Sequence, residues 1–285
     1  MLQRKRIVWC SILCGVLLAV CSLGLRSDRS IVVPGDMTLT ENQLGSMLQV
    51  GEELVYGVHY SFFNIGTIRM RVNSKENVDG REIYHTTAVI NSNSSLSWLV
   101  ELHIRFFSGI DQDLFTHTWL SEDSSKKTIS YRKIWFQYQD NTLHGENGTK
   151  NDGTYRPEKF DTAKISGHCQ DGLSLFFYAR GNARRKKEQY VPTCIDNKEV
   201  KTYINFLNER EKVEIDSVQY PIDCVHFEGR ADFTGIFGLT GGFEGWFSND
   251  QACIPIKAKM KVILGSVKVE LLSWKRSSWT PPKWN

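Results

Sequence analysis

The chain has 285 residues, of which 41% are hydrophobic, 24% charged and 12% aromatic. This content supports a sizeable core and excludes a disordered or low-complexity protein. Lysine and arginine number 35 against 32 aspartates and glutamates, a formal net charge of +3. Because Arg4, Lys5 and Arg6 account for that excess, the rest of the chain is neutral, and its bulk charge argues against binding of nucleic acid.

The N-terminus has the pattern of an exported protein. Its three basic residues precede an uncharged apolar run from Ile7 to Leu25, which is typical of a secretory signal or a membrane anchor. Cleavage before Leu25, lipidation at Cys21 and retention as a single span are all open, although Val20 stands where a lipoprotein signal has a small residue. Each outcome predicts a protein of the periplasm or cell envelope, anchored in the inner membrane by residues 7–25 if the run is retained.

We divide the chain accordingly into four parts. Residues 1–25 form the signal peptide or N-terminal membrane anchor, and 26–50 form a tether. Residues 51–275 form a β-rich exported domain, and 276–285 form a C-terminal tail. No linker interrupts the exported part, so we expect it to be one body.

From Gly51 onward apolar and polar residues alternate, which is typical of half-buried strands. Two such runs flank a predicted turn at Asn64–Gly66 and predict a hairpin with one dry face. We expect six apolar side chains to form one continuous surface, which is either core or the wall of a hydrophobic groove: Leu54, Tyr56, Val58, Ile68, Met70 and Val72.

About eleven strands are expected in all, from twelve candidate segments that include the two of the first hairpin. After the first hairpin they are 81–90, 101–110, 114–120, 128–139, 200–207, 211–218, 222–231, 243–248, 254–264 and 267–274. The turn-forming residues of 141–155 predict a turn-rich excursion or hairpin tip. The best helical pattern of the body runs from about Cys169 to Arg180.

That helix carries an apolar stripe of Cys169, Leu173, Phe176 and Phe177, and we expect Gly181 to end it. Many strands with one helix predict a mainly β (α+β) fold. We expect a large curved antiparallel sheet or open barrel with one covering helix.

The motifs of common enzyme classes are missing from the sequence, including the nucleophile elbow, the zinc-protease motif and the phosphate-binding and dinucleotide-binding loops. No two of the seven histidines have metal-ligand spacing on one element. His168 and Cys169 are adjacent on the predicted helix, where neighbours point about 100° apart, so they do not form a dyad. We therefore expect no catalytic residues, no metal and no cofactor, and a protein that is not an enzyme.

Four cysteines lie in the exported body: Cys169, Cys194, Cys224 and Cys253. None belongs to a Cys-x-x-Cys motif, which argues against a zinc ribbon and against thioredoxin-like chemistry. Because export leads to an oxidising compartment, these cysteines are candidates for disulfides whose pairing stays open. Buried free thiols are the alternative.

Three blocks of the sequence resemble a known family. They are Gly51–Tyr56 with Asn64–Thr67, Gln170–Ser174 with Phe177–Arg180, and Gly242–Asp250 with Ile254–Lys257 and Gly265–Val267. Together they resemble the bacterial exported-protein family designated domain of unknown function 3108, over about residues 50–275. The resemblance implies a mostly β protein of a Gram-negative envelope, similar in shape to outer-membrane lipoprotein carriers. It brings no catalytic residues with it.

Two functions stay open at this point. The 15 Phe, 10 Tyr and 8 Trp on a sheet with little helical cover favour binding of a lipid or other hydrophobic group. The alternative is a structural or interaction protein of the envelope that docks a protein partner without a small-molecule ligand. The expected partners are therefore the membrane, through the N-terminal segment, and a lipid or an envelope protein, but no nucleic acid.

Overall fold

The computed structural model describes residues 47–96, 101–195, 197–231, 239–262 and 265–285. The predicted signal or anchor, and the tether before Met47, lie outside these residues. None of the helices within the described ranges has the length and apolar character that a membrane crossing requires.

The described residues form one antiparallel sheet of fourteen strands and one α-helix. The strands are β1 (Glu53–Tyr60), β2 (Phe63–Val78), β3 (Arg81–Ser92), β4 (His103–Asp111), β5 (Thr116–Asp123), β6 (Ile129–Gln137), β7 (Thr142–Asn151), β8 (Thr154–Lys164), β9 (Lys187–Ile195), β10 (Lys198–Val213), β11 (Ile222–Ala231), β12 (Leu239–Ser248), β13 (Pro255–Val262) and β14 (Ser266–Lys275). The helix is α1 (Gly172–Asn182), and Ser94–Leu96 form a short 3₁₀ turn.

The chain builds the sheet as two meanders joined through the helix. Strands β1 to β8 pair in sequence order, the chain then passes through α1, and β9 to β14 pair in order until β14 meets β1. Strands β8 and β9 are therefore the two edges of the sheet. The predicted mainly β fold, a large antiparallel sheet with one helix, is confirmed.

The first hairpin turns earlier than predicted. The turn falls at Ser61 and Phe62, with Ser61 at a φ of 54°, whereas Asn64–Gly66 belongs to β2. Gly66 is needed there for another reason, because a Cβ at this position would lie 2.5 Å from the carbonyl oxygen of Asn91 on β3. This glycine allows close strand pairing and does not make a turn.

Of the two alternatives predicted for 141–155, the turn-rich excursion is wrong, because most of the segment belongs to β7 and β8. The hairpin tip is confirmed, since β7 and β8 pair up to Asn151 and Thr154. Of its two turn signals only Asp152–Gly153 turns, and both residues have positive φ. Gly148 lies inside β7, where a Cβ would come 2.1 Å from the carbonyl oxygen of Arg156. Two further predicted strands, 200–207 and 211–218, are replaced by the single long strand β10, which ends at Val213.

Helix α1 begins at Gly172, three residues later than predicted, because Asp171 caps it. The Asp171 carboxylate accepts hydrogen bonds from the backbone N–H groups of Leu173 and Ser174, and the Ser174 hydroxyl accepts from the N–H of Asp171. This reciprocal pair is a capping box. Gly181 lies in the last turn and does not end the helix; a Cβ there would press against Leu114 at 3.1 Å.

The helix packs against β3, β4 and β9. Leu173 and Phe177 enter the main apolar cluster, and Phe176 is half-buried at its margin. Cys169, predicted on the same stripe, precedes the helix and belongs to a separate small cluster. Met47 and Leu48, assigned to the tether from sequence, are buried in the main cluster.

The predicted C-terminal tail packs on the body. Trp279 donates its indole N–H to the Asp250 carboxylate at 2.7 Å, and Lys283 forms a β-bridge with Ile222. The guanidinium of Arg210 stacks over the Trp284 ring at 5.0 Å.

Candidate functional site

The six predicted hairpin residues do share one surface. Leu54 lies opposite Met70, and Tyr56 lies opposite Ile68. All six belong to the main apolar cluster or pack against it, and only Ile68 is partly exposed. The helix lies over this surface, with the Phe176 and Tyr56 ring centroids 6.4 Å apart. The surface is therefore core in this conformation, and its role as a ligand groove stays a prediction.

A buried ion cluster lies beside that core. Arg180 donates from Nη1 to Glu52 Oε1 at 2.7 Å and from Nη2 to Glu52 Oε2 at 3.2 Å, and Arg276 also pairs with Glu52. Burial raises the pKa of the neighbouring Tyr56, whose hydroxyl has no hydrogen-bond partner among the described residues. A cavity of about 480 Å³ opens at Glu52 and Arg276. Glu52 belongs to the sequence block Gly51–Tyr56 and Arg180 to the block Phe177–Arg180. Their contact holds the helix to the start of β1.

The start of the helix is fixed to the sheet by a second buried carboxylate. Asp171 Oδ2 accepts hydrogen bonds from the Ser108 hydroxyl on β4 and the Thr116 hydroxyl on β5, both at 2.7 Å. Burial raises the pKa of Asp171. All four acceptor contacts of this carboxylate are made within the protein, so Asp171 acts as a positioning group for the helix.

The four cysteines of the body are all described, and all are buried free thiols. Cys169 and Cys194 share one small cluster, whereas Cys224 and Cys253 lie in two others. Burial raises the pKa of the Cys253 thiol to about 11, so this group is a thiol at neutral pH.

A cavity of about 250 Å³ lies across β3 to β6. The Ser108 side chain points towards the helix, so its neighbours Phe107 and Gly109 face the opposite side of the sheet. There Phe107 lies opposite Leu120, and Trp135 lies opposite Thr118. The cavity therefore has apolar and aromatic walls on the face away from the helix.

Gly109 makes room for this cavity. It is paired with His85 on β3 and with Thr118 on β5, and all three line the cavity. A Cβ at position 109 would lie 2.6 Å from the Thr118 hydroxyl oxygen. Any larger side chain would project into the space that the cavity occupies.

A cation, Lys133, lines this cavity on its β6 side, which we call the rim. The Lys133 ammonium lies 5.7 Å from the centroid of the Trp135 ring and 4.7 Å from that of Tyr155. Its cross-strand neighbour Glu146 instead accepts a hydrogen bond from the Tyr131 hydroxyl at 2.5 Å. Within the described part of the chain, no carboxylate lies within 4.0 Å of the Lys133 ammonium. The cavity thus joins an apolar wall to a cation that lacks an acidic partner there.

Three donor groups that could hold a metal ion meet on β10 and β11. Ligand atoms of Glu209, Glu211 and His226 lie within 4.8 Å of one another. Glu211 already accepts from the Trp246 indole N–H at 2.7 Å and pairs with His226 at 3.1 Å. The two glutamates, separated by one residue on a strand, are a signal that the sequence contains. The position of His226 opposite Glu209 follows only from the register between β10 and β11.

Comparison with known proteins agrees with the fold. A β-barrel-like protein of domain of unknown function DUF1849 from Brucella abortus aligns over 81% of this chain and 99% of its own, with a TM-score of 0.50 and 10% identity. At that identity the similarity shows the fold alone. No curated protein matches the sequence at a significant level.

Two further structures are similar at lower scores. One, from Bacteroides fragilis, is described as an exported protein with a YmcC-like fold; it aligns over 80% of this chain and 97% of its own, with a TM-score of 0.30 and 8% identity. The other, from Parabacteroides distasonis, is described as a lipoprotein and aligns over 80% and 97%, with a TM-score of 0.30 and 10% identity.

The family model described as protein of unknown function (DUF3108) matches residues 55–272. This range runs from β1 to β14 and holds the whole helix. The chain therefore belongs to the DUF3108 family.

Proposed function

We propose that the exported body binds the apolar chain of an anionic amphipathic molecule, such as a lipid, in the cavity across β3 to β6. The observation that carries the proposal is the combination of an apolar wall with Lys133, the cation at its rim. Apolar pockets with a few well-placed polar groups are typical of ligand sites. The chemistry is that of a binding protein and not of an enzyme.

The geometry suggests how such a molecule would lie. Its hydrocarbon part would cover Phe107, Leu120 and Trp135, whose partial exposure to water makes their burial favourable. Its anionic group would face Lys133. A ligand carboxylate or phosphate would form its ion pair at this ammonium.

The basic and apolar N-terminus supports a location in the periplasm or cell envelope, where lipids are available. Purification of the exported protein without added lipid, followed by native mass spectrometry, should reveal a co-purifying amphipathic molecule. Titration with a fluorescent medium-chain fatty acid should then show saturable binding that the natural molecule displaces.

Two variants test the site itself. Leu120→Glu places a carboxylate in the apolar wall and should weaken fatty-acid binding at least tenfold, while the fold is retained because Leu120 is only half-buried. Leu272→Glu is the matched control, since Leu272 is 38% exposed on β14 and does not line the cavity. Equal affinity of both variants and the unmodified protein would contradict the proposal.

The role of the rim cation is tested separately. Lys133→Met should weaken binding of the fatty acid but leave binding of the fatty alcohol of equal length unchanged. Loss of both in equal measure would mean that Lys133 acts only through packing.

One observation favours docking of a protein partner as the second candidate. Among the described residues, edge strand β8 forms a ladder with β7 alone, from the pair Thr154–Asn151 to the pair Lys164–Thr142. Phe160 on this strand is 69% exposed. An exposed edge strand can accept a strand of another protein. Cross-linking from a photoreactive residue at position 160 in envelope extracts would capture such a partner, and a Phe160→Lys variant should lose it.

A further inference from the structure

The two edges of the sheet approach each other at one end. The Asn197 amide, after β9, donates to the Asp161 carboxylate on β8. The Ser166 hydroxyl, after β8, donates to Glu199 on β10 at 2.6 Å. We call the gap between β8 and β9 the seam. Side chains bridge it, but within the described residues no continuous ladder of backbone hydrogen bonds closes it.

A single β-bridge extends this seam. The backbone N–H of Gln170 donates to the carbonyl of Pro192 at 2.9 Å, and the N–H of Cys194 donates to the carbonyl of Gln170 at 2.7 Å. These two bonds make a parallel bridge between Gln170 and Thr193. Since neighbours along an extended segment point to opposite sides, the side chains of Cys169 and Cys194 both point away from those of the bridged residues.

The two cysteines meet in one buried cluster. Cys169 is fully buried and Cys194 is 4% exposed, and they share one set of apolar neighbours. The cluster consists of Ile134, Phe136, Leu143, Ile165, Cys169 and Cys194. The Cys169 thiol donates to the carbonyl of Gly167 at 3.6 Å. The bridge between the residues next to them and the shared cluster place the thiols of Cys169 and Cys194 beside each other. The Cys194 thiol raises the pKa of Cys169, and burial raises it further.

The other two cysteines have different surroundings. Cys224 lies in the main cluster. Cys253 lies in the cluster of Phe206 and Phe247, where its thiol donates to the carbonyl of Asp250 at 3.1 Å. Of the pairings that the sequence left open, one is favoured by the fold.

We propose that Cys169 and Cys194 form a disulfide that closes the seam between the edge strands, while Cys224 and Cys253 stay thiols. An external disulfide is the oxidant. The thiolate of one cysteine attacks it to form a mixed disulfide and releases one thiol, and the second cysteine then displaces the other thiol. Two thiols are oxidised to one S–S bond, and the external disulfide is reduced to two thiols.

This exchange belongs to the folding stage. Both thiols are buried, and the Cys194 thiol together with burial holds Cys169 in the thiol form. The folded and reduced protein should therefore react slowly with external disulfides. Exchange is fast while the cluster is still open. The bridge would then enclose α1 in a covalent loop, two residues before the cap at Asp171, and restrict the unfolded chain.

Refolding of the full-length protein with oxidised and reduced glutathione tests which cysteines pair. The result does not depend on where the protein is located in the cell. Free thiols are alkylated under denaturing conditions and the unreduced protein is digested. We expect a peptide pair that links Cys169 to Cys194, two hydrogen atoms lighter than its separate parts, and alkylated Cys224 and Cys253. The full-length chain also has Cys10, Cys14 and Cys21 in its N-terminal run. Alkylation of all four cysteines of the body, a link that contains Cys224 or Cys253, or a link from Cys169 or Cys194 to a cysteine of the N-terminal run would overturn the proposal.

Paired variants complete the test. Cys224→Ser with Cys253→Ser should keep the link and a melting temperature that falls on reduction. Cys169→Ser with Cys194→Ser should lose the link and the response to reductant. If either double variant fails to fold, the peptide map of the unmodified protein still decides the pairing. A linked protein whose melting temperature does not fall on reduction would refute the closure role. Fatty-acid titration of the reduced and oxidised forms keeps this result separate from the proposed ligand site.

Discussion

Arg180 and Glu52, 128 residues apart in the sequence, form a buried bidentate ion pair with N–O distances of 2.7 and 3.2 Å. Arg180 also donates to the carbonyl of Ala252, from Nε at 3.3 Å and from Nη2 at 3.0 Å. The helix is thereby held to the start of β1 and to the turn before β13. A second guanidinium, that of Arg276, shares the same carboxylate.

Removal of this carboxylate should be costly. Glu52→Gln leaves two buried guanidinium groups without their carboxylate, and we expect a loss of about 3–5 kcal/mol in the free energy of unfolding. The neighbouring Glu53→Gln is the matched control, because Glu53 pairs with the exposed Arg69 and Arg71 and should cost only about 0–1 kcal/mol. Urea denaturation measures both. Similar losses for the two variants would show that the buried ion cluster stabilises the fold no more than the exposed one.

The two adjacent phenylalanines of α1 should differ in how much they stabilise the fold. Phe177 is 1% exposed in the core, and Phe177→Ala should cost about 3–5 kcal/mol in the free energy of unfolding. Phe176 is only half-buried, and Phe176→Ala should cost clearly less. Thermal and urea unfolding compare the variants directly. Equal losses, or a larger loss for Phe176→Ala, would mean that the helix packs on the sheet with a different face.

A substitution at Met70 distinguishes the two roles, core or ligand groove, that were predicted for the apolar surface of the first hairpin. Met70 is 8% exposed and belongs to the main cluster, so Met70→Asp buries an unpaired carboxylate and should abolish cooperative unfolding. Circular dichroism during heating detects this loss. A folded Met70→Asp protein that has lost binding of a fluorescent fatty acid would instead support the groove predicted at these residues.

Glu122 should make stability depend on pH in the acid range. Burial opposes its ionisation, but hydrogen bonds from Lys150 and Tyr155 outweigh this effect and lower the pKa of Glu122 below 4.5. The folded state therefore binds this proton more weakly than the unfolded state. The stability from Glu122 is present above pH 4.5 and is lost as the pH falls through the lowered pKa.

A comparison with Glu122→Gln isolates this contribution. The difference in unfolding free energy between the two proteins should be largest near neutral pH and should shrink below pH 4.5. A difference that stays constant from pH 7 to pH 3 would show that the ionised carboxylate is not what stabilises the fold.

Local pattern determined much of the fold. Alternating apolar residues in β1 and β2 predicted a shared face, since side chains of paired strands align every second residue, and the register confirms it. The strand at Ile222–Ala231 was predicted with its observed bounds. Three strands were missed. Strand β7 was missed because Asn147–Gly148 inside it has the sequence pattern of a turn. Strands β8 and β9 were missed because edge strands have a neighbour on one side only. The alternating signal is weak there, and most of β8 is exposed.

Tertiary structure alone decided what surrounds each candidate residue. The pairing of Glu52 with Arg180, the closeness of Cys169 to Cys194, and the cavity beside Gly109 all join segments that are distant in the sequence. Periodicity reports which face of a strand is apolar, but it does not report what packs on that face. Here the helix covers the predicted hairpin surface, and strand register assembles Phe107, Leu120 and Trp135 into an apolar wall on the opposite face.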